Sequence, residues 1–586
     1  MQSPKPNLDA FKDLFSFPSN LGQEKPWVQN TPSASSLQSF VQSIGETMQK
    51  AMSGLPIPTL TQLQQDYMRD ATELYMGMLG NAVEKDGSKA PPVSSVISKD
   101  KRFQSKDWQD HGFFEYNAAL YGLNSKYAMR LTEAVDLEPK EKTLLRYTVQ
   151  QMVEAMSPAN FLVTNPEAQK KLIETKGQSL AEGLGNVMAD MEKGRISQTD
   201  EDAFEVGRNV ATTAGSVIFE NELFQLIQYK PKTEKVGSRP MLFVPPAINK
   251  FYILDLQPEN SLLSFVIEQG FTLYLMSWCN PKEDQGHLEW DDYVEHGVLK
   301  AVDLVCELSG QETINALGFC IGGTILTTAA GVMAARKKQK IESLTLLACF
   351  VDFFDTGTLG IFVNQKQVKA REEAFANGGI MPGKDLGSAF SSLRPNDLIW
   401  NYVVSNYLKG EKPPAFDLLY WNADTTNLPG KMFAWYLRNC YLENNLVKRN
   451  RVKILGESLD LTKVDVPTFI LSTKEDHIVP WVSSYRTTKV FSGETEFVLG
   501  ASGHIAGVVN PPAKKKRSFW TDGDKSGDAK GWLETAQEHP GSWWEHWGQW
   551  LGRFKGDVKP AKAKLGNAKF KPIEDAPGRY VKVRSE

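Results

Sequence analysis
The sequence predicts an α/β protein: a mostly parallel sheet flanked by helices, with a helical domain before it and a cap inserted into it. Three observations lead there. Strand-like and helical segments alternate from about residue 215 to 348. A glycine-rich turn, Gly318-Phe319-Cys320-Ile321-Gly322-Gly323, joins one of those strands to a helix of small residues. Two later strands, Thr468 to Ser472 and Thr495 to Leu499, are followed by Asp476 and His504, where strand ends deliver side chains to one edge of a parallel sheet.

A chain of 586 residues exceeds what one compact core normally holds, so two or three domains are expected. Residues 1–35 are rich in Pro, Ser, Asn and Gln and predict little order, apart from a short amphipathic stretch at Phe11, Leu14 and Phe15. Residues 36–200 read as a helical domain. Leu37, Phe40, Val41, Ile44, Met48 and Met52 recur at helical spacing, as do Leu60, Leu63, Tyr67, Leu74 and Met78 after Pro56-Ile57-Pro58. This stripe packs on the rest of the protein or docks a partner or lipid-like surface. A charged linker, 84–101, divides the helical region, which continues to about Lys193.

Residues 201–586 form the sheet domain. Its expected strands are Gly215 to Phe219, Leu223 to Tyr229, Met241 to Val244, Thr272 to Met276, Thr313 to Leu317 and Leu344 to Ala348. Its helices are Ser261 to Gln269, Asp292 to Leu308 and Ile321 to Ala335. The alternation stops at about 351–450, an aromatic stretch whose length predicts a cap over the site. Near the C-terminus, Trp543, Trp544, Trp547 and Trp550 predict an amphipathic helix packed on the sheet domain, with direct contact to an apolar product as the alternative.

Composition narrows the function. The net charge of −4 and the lack of a basic stripe interleaved with aromatics argue against nucleic acid; Lys514-Lys515-Lys516-Arg517 reads as a solvated loop or a contact for an anionic nucleotide. Five scattered cysteines read as reduced thiols of a cytoplasmic protein, with neither a disulfide frame nor a metal site. Neither a signal peptide nor a membrane span is expected.

The glycine turn has the form of a nucleophile elbow with cysteine at its tip, where the helix N-terminus favours thiolate. Cys320 would attack an acyl carbonyl, His504 would take up its proton, and Asp476 would orient the imidazole; the order nucleophile, acid, histidine is that of an α/β-hydrolase-type fold. The oxyanion donors would be the backbone N–H of Ile321 and one from Val244-Pro245-Pro246-Ala247-Ile248-Asn249. Proline cannot donate, which leaves Ala247 or Ile248, with Ala247 adopted. His477 is the competing histidine; His111, His287, His296, His539 and His546 read as structural or exposed. A thiol leaves readily, so a Cys-bound acyl group suits onward transfer.

Together with Ser157-Pro158-Ala159-Asn160-Phe161, Leu393-Arg394-Pro395-Asn396-Asp397 and Gly541-Ser542-Trp543-Trp544, these segments resemble the polyhydroxyalkanoate (PHA) synthases, most closely the single-subunit class I type. The resemblance implies a cysteine-thioester acyltransferase that polymerises (R)-3-hydroxyacyl-CoA, short-chain such as 3-hydroxybutyryl-CoA, and releases CoA. It needs no cofactor beyond that substrate. It also implies Cys320, Asp476 and His504 as catalytic residues, Trp421 and Asn249 at the substrate or cap, and a homodimer at cytoplasmic polyester granules with granule-associated proteins. Cys279 and Ala247 depart from residues common in that family. A thioesterase or depolymerase with the same three residues is the alternative; a granule coat protein with a vestigial site is a third.

Overall fold
The structure, a computed structural model, describes residues 32–78, 99–110 and 112–585. The stretch with Phe11, Leu14 and Phe15, most of the linker and His111 lie outside these residues. Pro32 to Ser35, grouped above with the segment of little order, instead open helix α1 (Pro32–Ser53). It is followed by α2 (Ile57–Met78), α3 (Gly112–Ala134), α4 (Pro139–Ala155), α5 (Pro166–Glu174) and α6 (Gln178–Lys193). The apolar stripe is used internally in part: Tyr67 donates to Asn124 Oδ1 at 2.9 Å and meets Tyr127 edge-on at 5.3 Å, while Met48 and Leu74 pack into apolar clusters of this domain.

The sheet has eleven strands. In chain order they are β1 (Gly215–Glu220), β2 (Phe224–Tyr229), β3 (Met241–Val244), β4 (Leu273–Trp278), β5 (Ile314–Phe319), β6 (Ile341–Leu347), β7 (Thr468–Thr473), β8 (Thr495–Gly500), β9 (Ser518–Thr521), β10 (Gln537–Pro540) and β11 (Glu574–Asp575). Their spatial order is β10-β9-β8-β7-β6-β5-β3-β4-β2-β1-β11, and the run from β4 to β8 is parallel. Those strands are buried on both faces, which is why they read as continuous apolar runs rather than alternating ones. One face carries α7 (Leu262–Glu268). The other carries α8 (Lys300–Ser309), led in by a π-helical turn Tyr293–Leu299, and α9 (Ile321–Ala335), buried almost throughout.

The inserted cap contains α10 (Gln365–Ala374), α11 (Gly383–Ser392), α12 (Asp417–Ala423) and α13 (Gly430–Tyr436), interrupted by π-helical turns Asn396–Trp400, Val403–Leu408 and Leu437–Leu442. α1 packs on both α4 and α10, so the N-terminal helices touch the cap.

After β7 come α14 (Trp481–Arg486), then α15 (Ala529–Thr535) and α16 (Trp543–Gly552). α16 carries the four tryptophans, all buried against the sheet domain. Three of their indoles are hydrogen-bonded: Trp543 donates to Gly507 O at 3.0 Å, Trp544 to Val508 O at 2.9 Å and Trp547 to Thr345 Oγ1 at 3.0 Å. The first two acceptors lie just beyond His504, so this helix braces the histidine loop. Trp544→Ala is expected to cost about 3–5 kcal/mol through lost packing and an unpaired carbonyl. Urea unfolding checks it, and a cost below about 1 kcal/mol would contradict the bracing role.

Candidate active site
Cys320 stands at the turn between β5 and α9 with φ 52° and ψ −131°, a conformation costly for any residue with a Cβ. The turn is locked from three sides. Cys320 N donates to Leu347 O at 3.0 Å, and Gly323 N donates to Cys320 O at 2.9 Å. At Gly322 a Cβ would lie 2.3 Å from Pro245 O, so only glycine lets α9 begin against the end of β3. Ile321 is the first residue of α9; its N–H is one of those a helix leaves without an internal partner, beside the sulfur.

Asp476 and His504 reach the same place from the ends of β7 and β8. His504 Nδ1 and Asp476 Oδ2 are 2.7 Å apart, and both side chains are almost completely buried. The carboxylate is fully occupied: Oδ1 accepts the backbone N–H groups of Ile478 and Val479, each at 2.8 Å, and Oδ2 also accepts the Thr473 hydroxyl at 3.2 Å. Such donors fix the orientation of the carboxylate. Phe319 stacks on the imidazole at 5.7 Å.

Burial disfavours charge on His504, but the Asp476 carboxylate with its hydrogen bond, and a hydrogen bond with Cys320, outweigh it and raise its pKa above the ordinary 6.5. The imidazole is therefore paired with the carboxylate, and the Cys320 sulfur is near enough to favour its charged form. Because the folded value is raised, this stabilisation is fully present below about pH 6.5 and is lost as pH rises through the folded value. Relative to His504→Gln, the protein should show its largest stability advantage in mildly acidic solution and a shrinking one under alkaline conditions. A pH series of urea unfolding checks the sign, and an advantage that grows with pH would refute the ion pair.

His477 does not share this arrangement. Burial lowers its pKa to about 4, which keeps it neutral, and the partners of Asp476 named above do not include it. The Lys514–Lys516 side chains are exposed, as a solvated loop would have them. Cys279 accepts a long contact from Gln285 Nε2 at 3.7 Å, and burial pushes its thiol up to about 11, the reverse of nucleophile activation.

The loop after β3 passes directly over the elbow. Pro245 O accepts the Trp278 indole at 2.9 Å, Ile248 O accepts Thr426 N at 2.9 Å, and Lys250 O accepts the Trp421 indole at 2.7 Å. Ala247 is buried in this loop. Asn249 forms an antiparallel bridge with Thr425. Trp421 and Asn249 therefore both sit at the seam between cap and loop.

Two cap residues that the sequence reading passed over complete the surroundings. Tyr436 and Tyr441 lie 5.3 Å apart, ring edge to ring face. Burial pushes both phenols above their ordinary range, and Cys320 contributes to the rise at each, second to burial at Tyr441 and after Tyr441 and Cys440 at Tyr436. Phe353 packs against both rings, at 5.9 and 5.2 Å. The only signal in the sequence was the aromatic density of the insertion.

Comparisons with known proteins agree with this architecture. The family described as "Poly-beta-hydroxybutyrate polymerase (PhaC) N-terminus" matches residues 99–266, and that described as "alpha/beta hydrolase fold" matches residues 243–511. The poly(3-hydroxyalkanoate) polymerase subunit PhaC of Cupriavidus necator is 49% identical, covering 91% of this chain and 90% of its own. The poly(3-hydroxyalkanoate) polymerase of Methylorubrum extorquens is 40% identical, covering 90% of each chain. A solved monoacylglycerol lipase of Paleococcus ferrophilus shares 14% identity at a TM-score of 0.32, covering 56% of this chain and 98% of that one. The chain belongs to the poly(3-hydroxyalkanoate) polymerases, enzymes of polyester synthesis built on an α/β-hydrolase fold.

Proposed function
We propose that the protein polymerises (R)-3-hydroxyacyl-CoA, of short chain length, through an acyl thioester on Cys320. The thiolate attacks the acyl carbonyl while the N–H groups of Ile321 and Ala247 receive the developing oxyanion. The C–S bond to CoA breaks, and the His504 imidazolium gives its proton to the departing thiolate. The neutral imidazole, oriented by Asp476, then takes the proton of the 3-hydroxyl of a bound hydroxyacyl-CoA; its oxygen attacks the Cys320 thioester carbonyl, the ester C–O bond forms as the C–S bond to Cys320 breaks, and the freed Cys320 thiolate, beside the imidazolium, takes the lengthened acyl chain from CoA as in the first step. Each monomer added releases one CoA.

The observation that carries this reading is the 2.7 Å His504–Asp476 contact, buried, with Cys320 on the other side of the imidazole. The same residues could serve water. The packed aromatic group Tyr436, Tyr441 and Phe353 in the cap supports an organic hydroxyl as acceptor, because an apolar cap over the thioester would disfavour water. On this reading the enzyme works as a homodimer at the surface of cytoplasmic polyester granules, beside granule-associated proteins.

The test supplies 3-hydroxybutyryl-CoA and follows CoA and product together. One CoA per monomer in insoluble polyester is expected. Free 3-hydroxybutyrate as the main product would make the protein a hydrolase.

A further inference from the structure
Residues 580–585 run back over the loop that follows β3. The Tyr580 hydroxyl donates to Asn221 O at 2.8 Å, and Val581, 1% exposed, is buried beside Lys250. Val583 O accepts Lys250 Nζ. Arg584 pairs with Glu201 at 3.3 Å and lies 5.1 Å from the Tyr420 ring centre. The Ser585 hydroxyl donates to Thr425 O at 3.0 Å. One short segment thus ties together the oxyanion loop, the cap and the start of the sheet domain at Glu201.

Lys250 is the point where these ties meet. It is 3% exposed, a rare environment for lysine, and its backbone carbonyl is held by Trp421 while its ammonium is held by the C-terminal segment. The neighbouring buried charge belongs to Asp424, also 3% exposed, which accepts the Tyr252 hydroxyl at 2.9 Å. Burial disfavours charge on each of the two, and each opposes that effect in the other. An ammonium so placed fixes the loop backbone three residues from Ala247. A surface lysine would leave that backbone free to shift.

We propose that Lys250 is a positioning residue for the oxyanion loop and that the C-terminal segment 583–585 is the strap that holds it. The proposal rests on the assignment of an oxyanion donor to this loop. Displacing that donor by about 1 Å costs acyl transfer on the order of 10²-fold, yet leaves the nucleophile itself intact.

The test separates these two properties in the full-length protein. Acyl transfer is read as kcat and KM for CoA release from 3-hydroxybutyryl-CoA. Thiolate reactivity is read as the rate of Cys320 alkylation by iodoacetamide, which requires no oxyanion donor. Lys250→Met is expected to lower kcat about ten- to hundredfold with KM changed less than threefold and alkylation changed less than twofold. A chain lacking residues 583–586 keeps Lys250 but removes its acceptor, and it should move the same way; it decides the matter if Lys250→Met does not fold. Either of two results overturns the proposal: kcat within twofold of the parent, or alkylation falling in parallel with CoA release, which marks a general structural loss. The underlying reading fails separately, if the parent keeps its activity after Cys320 has been alkylated.

Discussion

Cys320→Ala is expected to slow CoA release from 3-hydroxybutyryl-CoA by at least about 10⁴-fold, because removal of a nucleophile leaves only binding and oxyanion stabilisation. The loss should not reflect unfolding. Alanine accepts the same backbone torsions as poorly as cysteine does, so the melting temperature should stay close to the parent's. Cys320→Gly separates the two effects further. Glycine relieves the strain at φ 52°, worth about 1–3 kcal/mol, so this variant should be as inactive as alanine and yet more resistant to urea. Cys320→Ser should lose about 10²-fold or more, since an alkoxide cannot form beside the imidazolium as a thiolate can. CoA release in Cys320→Ala equal to the parent's would remove the catalytic claim and leave the site vestigial.

The central strands and the three residues of the candidate site were legible for one reason. β3 through β8 are short apolar runs bounded by Gly, Pro or polar turns, and Cys320, Asp476 and His504 each follow such a run closely. Local pattern and tertiary role coincide there. They part at the sheet edge: β9, β10 and β11 are short, β10 and β11 are polar, β10 ends in Pro540, and their antiparallel pairing is chosen by neighbours rather than by propensity. They part again in the cap. Its π-helical turns shift the apolar spacing away from 3.6 residues, so a largely helical insertion shows no helical period. Tyr436 and Tyr441 are invisible for the same reason. Lys250 was hidden differently, since a lysine in a loop reads as solvated until the chain terminus is seen to cover it.

Gly322→Ala is expected to lower kcat for CoA release by about 10²–10³-fold and stability by about 1–3 kcal/mol. The added Cβ would lie 2.3 Å from Pro245 O and 2.5 Å from Val244 O. Neither atom can yield alone. Val244 is paired in register with Gly318 in the middle of the parallel sheet, and Pro245 O is held by the Trp278 indole. The strain must therefore go into the start of α9 or into the loop after β3, which are the two proposed sources of oxyanion donors. Gly323→Ala provides the contrast. Its Cβ would meet the Cys349 sulfur at 2.6 Å, Cys349 Cβ at 3.0 Å and Gly318 O at 3.2 Å, so its one contact below 3.0 Å is with a side-chain atom. Rotation of Cys349 relieves that contact and leaves the two longer ones, so the loss in kcat should be smaller than for Gly322→Ala. Equal losses in the two variants would show that the elbow tolerates no added carbon anywhere. A Gly322→Ala enzyme with parental kcat would show that the oxyanion donors do not depend on the contact between α9 and the end of β3.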